Sequence, residues 1–279
     1  MEPTIECPNC TNVYPRRGLH CPSCGQIGIS KLYKYLPFND HSLSLIINKE
    51  IWCPKAKTLN DPFEFHFHLT DTSIGGIPIN QHSLEEAKKA IKELGVVCLS
   101  EINHDILMWS HYTDGHTGFC IEFERSDNND LGKWDYCLPV TYDAVEVPSF
   151  DSPQLEEKAS VAKIVATKAP NWSYEKEWRL IVSHEFANGL IPLPAKITSV
   201  IFGCKMDDAR RRTVANILRR DVLYLEAIEL KYHFSLDIKS ILFEAVVMTE
   251  RGHRYFLTIQ STRPQTAPCH AFVCAPLHG

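Results

Sequence analysis

Two hydrophobic periods run along this chain. Period two, in which successive side chains point to opposite faces, marks strands, and a recurrence every three to four residues marks helices. Alternation at 31–36 puts Tyr33 and Tyr35 on one face and Leu32, Lys34 and Leu36 on the other. Further strands are expected at 51–53, 96–100, 119–123, 139–147, 198–203 and 222–230, with late strand patterns between 236 and 259. Helical stripes are expected at 40–48, with Asp40 as N-cap, at 84–94, capped by Ser83 and stopped by Gly95, and at 105–112, 155–168 and 207–220.

The stretch 172–182 carries the most unusual pattern. Read as a strand, it places Trp178, Leu180 and Val182 on one face and Glu175, Glu177 and Arg179 on the other. The polar face is either a solvated ion pair or the floor of a cleft. Strands and helices intermix along the chain without regular βαβ alternation, so the expected class is α+β, with mixed or antiparallel sheets and flanking helices.

A length of 279 residues suits one good core, or one domain with a small appendage. The charge is balanced, 29 basic against 34 acidic residues, which removes a global basic field as a ground for non-specific nucleic-acid binding. No apolar run approaches the roughly 20 residues of a membrane span, and residues 1–6 lack a signal pattern. A cytoplasmic protein is the expectation. Seven of the eleven cysteines are scattered through the chain, several in apolar runs, as in a reducing compartment.

The other four are Cys7, Cys10, Cys21 and Cys24, two Cys-x-x-Cys knuckles separated by ten residues. That gap is long enough to fold back and close a tetrahedral thiolate site, so a structural zinc ribbon over 1–29 is expected. Arg16 and Arg17 lie at its tip, where the two readings are contact with an acidic partner and, as the leading expectation, exposure to solvent. A second pattern, Glu64-x-His66-x-His68 between Phe63, Phe65 and Phe67, is either a metal-ligating strand face or an ordinary amphipathic strand. Ser100 ends an apolar strand, where a hydroxyl can mark a cleft mouth. Trp109, His111, Tyr112 and His116 fall within eight positions, a density that suits gripping a flat polar ligand. The helix at 207–220 has a basic face best read as solvated. Nucleotide loops of the GxxxxGK[ST] and GxGxxG types, HExxH and GxSxG are all missing from the sequence.

Six blocks in order, Leu32-Tyr33-Lys34-Tyr35, Asn60-Asp61-Pro62-Phe63-Glu64, Val97-Cys98-Leu99-Ser100, Met108-Trp109-Ser110-His111-Tyr112 with His116 and Gly118, Glu175-x-Glu177-Trp178-Arg179, and Ile201-Phe202-Gly203, resemble the bacterial DUF2971 family across roughly 31–240. The knuckles lie outside that resemblance, which divides the chain into a zinc ribbon at 1–29, a DUF2971-like domain at 30–260 and a loose tail at 261–279.

A more distant likeness is to ADP-ribosyltransferases, in which an early strand residue, a Ser on a middle strand and a late Glu, often Glu-x-Glu, surround NAD between two sheets. Lys34 or Tyr35, Ser100 and Glu175/Glu177 stand in that order. The likeness implies that Glu177 stabilises the charge developing on the ribose and that Glu175 helps activate the acceptor. It further implies that Arg179 or Lys34 holds pyrophosphate and that Tyr35, Trp109 or Tyr112 stacks on a ring. A toxin or defence effector is the use it suggests. Two other functions remain open: a non-catalytic ligand sensor whose ribbon contacts protein or nucleic acid, and a metallohydrolase built on His66, His68, His111 or His116.

Overall fold

The computed structural model describes residues 4–7, 9–25, 28–70, 73–74, 77–78, 81–133, 135–142, 145–150, 158–219, 221–241, 243–248 and 254–259. Eight strands join into one sheet: β1 (Lys31–Leu36), β2 (Gly95–Ser100), β3 (Phe119–Glu124), β4 (Cys137–Pro139), β5 (Glu177–Val182), β6 (Ile197–Phe202), β7 (Leu223–Glu229) and β8 (Leu236–Ser240). Their order is β4-β5-β2-β1-β3-β6-β7-β8. Neighbours are antiparallel except β6 and β7. That parallel pair is joined through a helix, α5 (Asp208–Leu218), because parallel neighbours need a crossover. The α+β expectation holds.

Both faces of the sheet are covered. On one, Leu32, Leu99, Phe119, Ile121, Phe123, Trp178 and Leu180 pack with Leu45 and Ile46 of α1 (Asp40–Asn48) and with Val214 and Leu218 of α5. The other face carries two separate clusters. Tyr33, Tyr35, Cys120 and Ile201 meet Met108 and Trp109 of α3 (Ile106–Tyr112). Val96 and Leu138 meet Phe65, Phe67 and Ile91, the last from α2 (Gln81–Lys92), together with Ile164 and Val165 of α4 (Lys158–Val165).

Several expected elements change. Residues 172–182 are not one strand: Pro170–Glu175 forms a 3-10 helix, Lys176 turns the chain at φ 45°, and β5 begins at Glu177. Residues 63–67 do not alternate as a strand. Asp61 Oδ1 accepts from Phe63 N at 2.9 Å, Phe65 takes φ 61°, and strand structure is limited to His68–Leu69. The strand ends at Pro139: Val140 N still donates to the Glu177 carbonyl at 2.9 Å, and Thr141 N then turns to the Ala166 carbonyl at 2.7 Å. Asn39, rather than Asp40, caps α1, its side chain accepting from Ser42 N. The late strand patterns appear as β8, Phe243–Met248 and Arg254–Ile259. The tail at 261–279 and the capping side chain of Ser83 lie outside the described residues.

The N-terminal hairpin, Thr4–Glu6 against Val13–Pro15, continues into a tip that is docked rather than solvated. Arg16 forms a two-pronged ion pair with Glu101, with Nε at 2.7 Å from Oε1 and an amino nitrogen at 2.6 Å from Oε2. The Arg17 carbonyl accepts from the buried Arg125 at 2.6 Å.

The turn after α3 is held by close backbone approach. A Cβ on Gly203 would lie 2.1 Å from the His116 carbonyl oxygen, whereas at Gly189 the nearest atom, the Phe186 carbonyl oxygen, is 3.5 Å away. In urea unfolding, Gly203→Ala is expected to cost about 1–3 kcal/mol through overpacking, and Gly189→Ala to fall within about 0.5 kcal/mol of the parent. Equal effects at the two positions would contradict this packing.

Candidate functional site

The ladder parts at the middle of the sheet. β1 and β2 share a single registered pair, Tyr33 with Ser100, although each strand is six residues long. Lys34 reaches into the gap, its Nζ donating to the Cys98 carbonyl at 2.9 Å. A cavity of about 250 Å³ opens here, between the two clusters on the sheet's second face. Its walls include Tyr33, Lys34, Tyr35, Cys98 and Ser100 from the parted strands, Met108 and Tyr112 from α3, and Leu59 and Asn60 from the preceding loop.

Charged side chains close its inner end: Glu64, Lys168, Glu175 and Glu177. Their side chains are 2–4 % exposed. Lys168 Nζ lies 2.6 Å from Glu175 Oε2, 3.3 Å from Glu177 Oε2 and 3.3 Å from Glu64 Oε1, and 4.5 Å from the centre of the Trp172 ring. Arg179 reinforces the group from behind. Its Nε is 2.9 Å from Glu177 Oε1, one amino nitrogen is 2.5 Å from Glu64 Oε2, and the other donates to the Val165 carbonyl at 2.8 Å. The bland expectation of a solvated ion pair therefore fails. Three carboxylates and two cations are buried together, where an unpaired charge would cost several kcal/mol.

The carboxylates differ in character. Burial, and then the Glu177 charge, pushes Glu175 above the ordinary carboxylate range. Burial likewise raises Glu64, against the pull of Arg179 and Lys168. At Glu177 burial acts upward too, but the Arg179 and Lys168 charges outweigh it and hold the group down at about 2. Glu177 thus stays ionised through the ordinary pH range, while Glu175 takes a proton more readily. Lys168 is raised because its three carboxylate neighbours outweigh its burial, so it stays an ammonium. Tyr112 donates to Glu175 Oε1 at 2.6 Å and accepts from Asn60 Nδ2 at 3.2 Å, which links this end to the exposed rim.

The structure thus brings six of the expected site residues to one cavity: Lys34, Tyr35, Ser100, Tyr112, Glu175 and Glu177. Ser100 Oγ donates to the Glu175 carbonyl at 2.6 Å and fixes the turn before β5. Arg179 is fully buried behind the wall, with its guanidinium engaged as described, and does not line the cavity. Trp109 is also fully buried; its Nε1 donates to the Asn103 carbonyl at 2.8 Å and its ring meets Tyr35 edge-on. His111 is exposed on α3, its ring 6.4 Å from Tyr174. His116 takes φ 72° in the turn against Gly203, and burial lowers its pKa.

Two cavity residues carry weight that the sequence did not assign to this site. Glu64 is recognisable within Asn-Asp-Pro-Phe-Glu, but the strand reading paired it with histidines. Lys168 gave no signal beyond the end of a helical stripe.

A second site stands apart. Cys7, Cys10, Cys21 and Cys24 bring their sulfurs within 4.8 Å of one another. Cys7 and Cys24 are 3.6 Å apart at sulfur and Cys10 and Cys21 3.5 Å, well beyond a disulfide bond of about 2.05 Å. Four thiolates about 2.3 Å from a tetrahedral metal would be about 3.8 Å apart, so the group can hold a metal ion. Among the described residues no second group of metal ligands forms, and His66, His68, His111 and His116 do not converge. No helix among the described residues is long and apolar enough to cross a membrane.

No curated protein and no solved structure matches the chain. One family model does, described as a protein of unknown function (DUF2971), over residues 108–180. The matched segment runs from α3 into β5 and contains Tyr112, Lys168, Glu175, Glu177 and Arg179, most of the charged end of the cavity. Over that segment the chain is similar to the DUF2971 family.

Proposed function

We propose that the cavity takes the nicotinamide–ribose end of NAD and acts on the bond between them, by ADP-ribosyl transfer or glycohydrolysis. One observation carries this reading: Glu175 and Glu177 share Lys168 while their surroundings drive their protonation in opposite directions. Breaking the C1′–N bond sends its electron pair to neutral nicotinamide and leaves positive charge on the ribose. A carboxylate that stays ionised, Glu177, stabilises that charge. A carboxylate that accepts a proton readily, Glu175, takes it from the attacking hydroxyl or water as the new C1′–O bond forms.

The cavity volume of about 250 Å³ suits one ring and one sugar, since whole ligand sites run to roughly 300–1,000 Å³. Tyr33, Tyr35 and Tyr112 supply aromatic walls, and half-buried Lys34 is placed for a phosphate. A sensing role is the second reading, favoured by the complete engagement of Glu177 with Arg179 and Lys168. The same reading places a structural zinc on Cys7, Cys10, Cys21 and Cys24 and divides the chain into a ribbon at 1–29 and the α+β domain at 30–260.

Incubation with NAD is expected to release nicotinamide. Glu175→Gln should lower the rate by about 10²–10³. The parent rate should rise with pH as Glu175 loses its proton, and that limb should vanish in the variant. Equal inertness of both proteins, with thermal stabilisation by NAD, would replace the enzyme reading with the sensor. Metal analysis should return one zinc per chain, lost in Cys21→Ser, with a lowered melting temperature. A zinc-free parent that melts like the purified protein would overturn the structural zinc.

A further inference from the structure

The ribbon is tied to the turn that presents Glu175 and Glu177. Glu101, the ion-pair partner of Arg16, directly follows Ser100 of the cavity wall. Its Oε1 also accepts from Trp178 Nε1 at 2.7 Å, and its backbone N–H donates to the Lys176 carbonyl at 3.0 Å. Lys176 and Trp178 flank Glu177. A second tie runs through Arg125, whose side chain is fully buried. Its guanidinium lies 4.4 Å from the centre of the Trp178 ring and donates to the carbonyls of Arg17, Ile29 and Leu131.

Arg16 and Arg17 belong to the loop between the two knuckles, and such a loop has little core of its own; its shape depends on the four cysteines holding a metal. The buried Arg125 needs its carbonyl partners, since an unpaired buried charge is costly.

The geometry points to a metal-dependent positioning relay: metal bound by the four cysteines fixes Arg16 and Arg17, and these fix the Lys176–Trp178 turn through Glu101 and Arg125. Arg16 and Glu101 are positioning residues in this relay and touch no ligand. The inference goes beyond the proposed reaction and holds whatever the cavity binds. By linkage, any ligand of the ordered cavity would in turn tighten metal binding.

Amide hydrogen exchange on the full-length protein tests this without a ligand. Zinc removal by a chelator should speed exchange at least tenfold in the segments 96–101 and 175–180, with little change in β6 and β7. Arg16→Ala, with its zinc content unchanged, should reproduce the effect in those segments, and Arg16→Lys should restore part of the protection. Three results would overturn the relay: unchanged exchange in those segments after zinc removal, a uniform rise that includes β6 and β7, or an Arg16→Ala protein that exchanges like the parent.

Discussion

The ammonium of Lys168 is the interaction on which the cavity depends. It stands among Glu64, Glu175 and Glu177, all within 3.3 Å, at the inner end of a space bounded by apolar clusters. Three carboxylates cannot be buried there without it. Arg179 supplies the second cation, and its attachment to the Val165 carbonyl joins the group to α4. The group contributes little net stability compared with an apolar core of the same volume, since desolvation offsets most of the Coulomb gain. What it does is hold two carboxylates beside a cavity with their proton affinities shifted in opposite directions. The sign of the linkage differs between them: Glu177 stabilises the fold above the ordinary carboxylate range and loses that contribution as pH falls toward 2, whereas Glu175 and Glu64 favour the fold less as pH rises and they ionise.

The parting of β1 from β2 follows from the same arrangement. Tyr33 and Ser100 pair, and beyond them Lys34 fills the gap with a side-chain hydrogen bond to Cys98 in place of a ladder bond. A strand pair that separates in mid-sheet leaves backbone polar groups and side chains facing an enclosed space. A sheet built only for stability would pair them.

Much of the sheet was legible in the sequence because its strands are apolar on both faces and bounded by turn residues. β1, β2, β3, β6 and β7 appear close to their expected limits. The misread segments are those where side chains override periodicity. Trp172–Glu175 alternates like a strand, yet it coils, and the αL turn at Lys176 lets Glu175 and Glu177 both reach Lys168. Phe63–Phe67 alternates as well, but Asp61 and Phe65 bend it so that Glu64 turns inward. The docking of Arg16 on Glu101 had no local signal, because the two are 85 residues apart in the sequence, and Lys168 had none because the coil between it and Glu175 takes neither the strand nor the α-helix period. Of the aromatic and imidazole group at 109–116, only Tyr112 reaches the cavity. Trp109 serves the core, and His116 serves a turn against Gly203.

The account rests on two neighbouring carboxylates shifted in opposite directions, Glu175 upward by burial and the Glu177 charge, and Glu177 downward by Arg179 and Lys168 against its burial. Carbon-13 NMR titration of the glutamate side-chain carboxyls, assigned with Glu175→Gln and Glu177→Gln, reads those shifts directly. The account predicts that Glu177 remains ionised down to about pH 3, since it is held at about 2, while Glu175 titrates above the ordinary carboxylate range. Both carboxyls titrating together near the ordinary value of about 4.3 would contradict it.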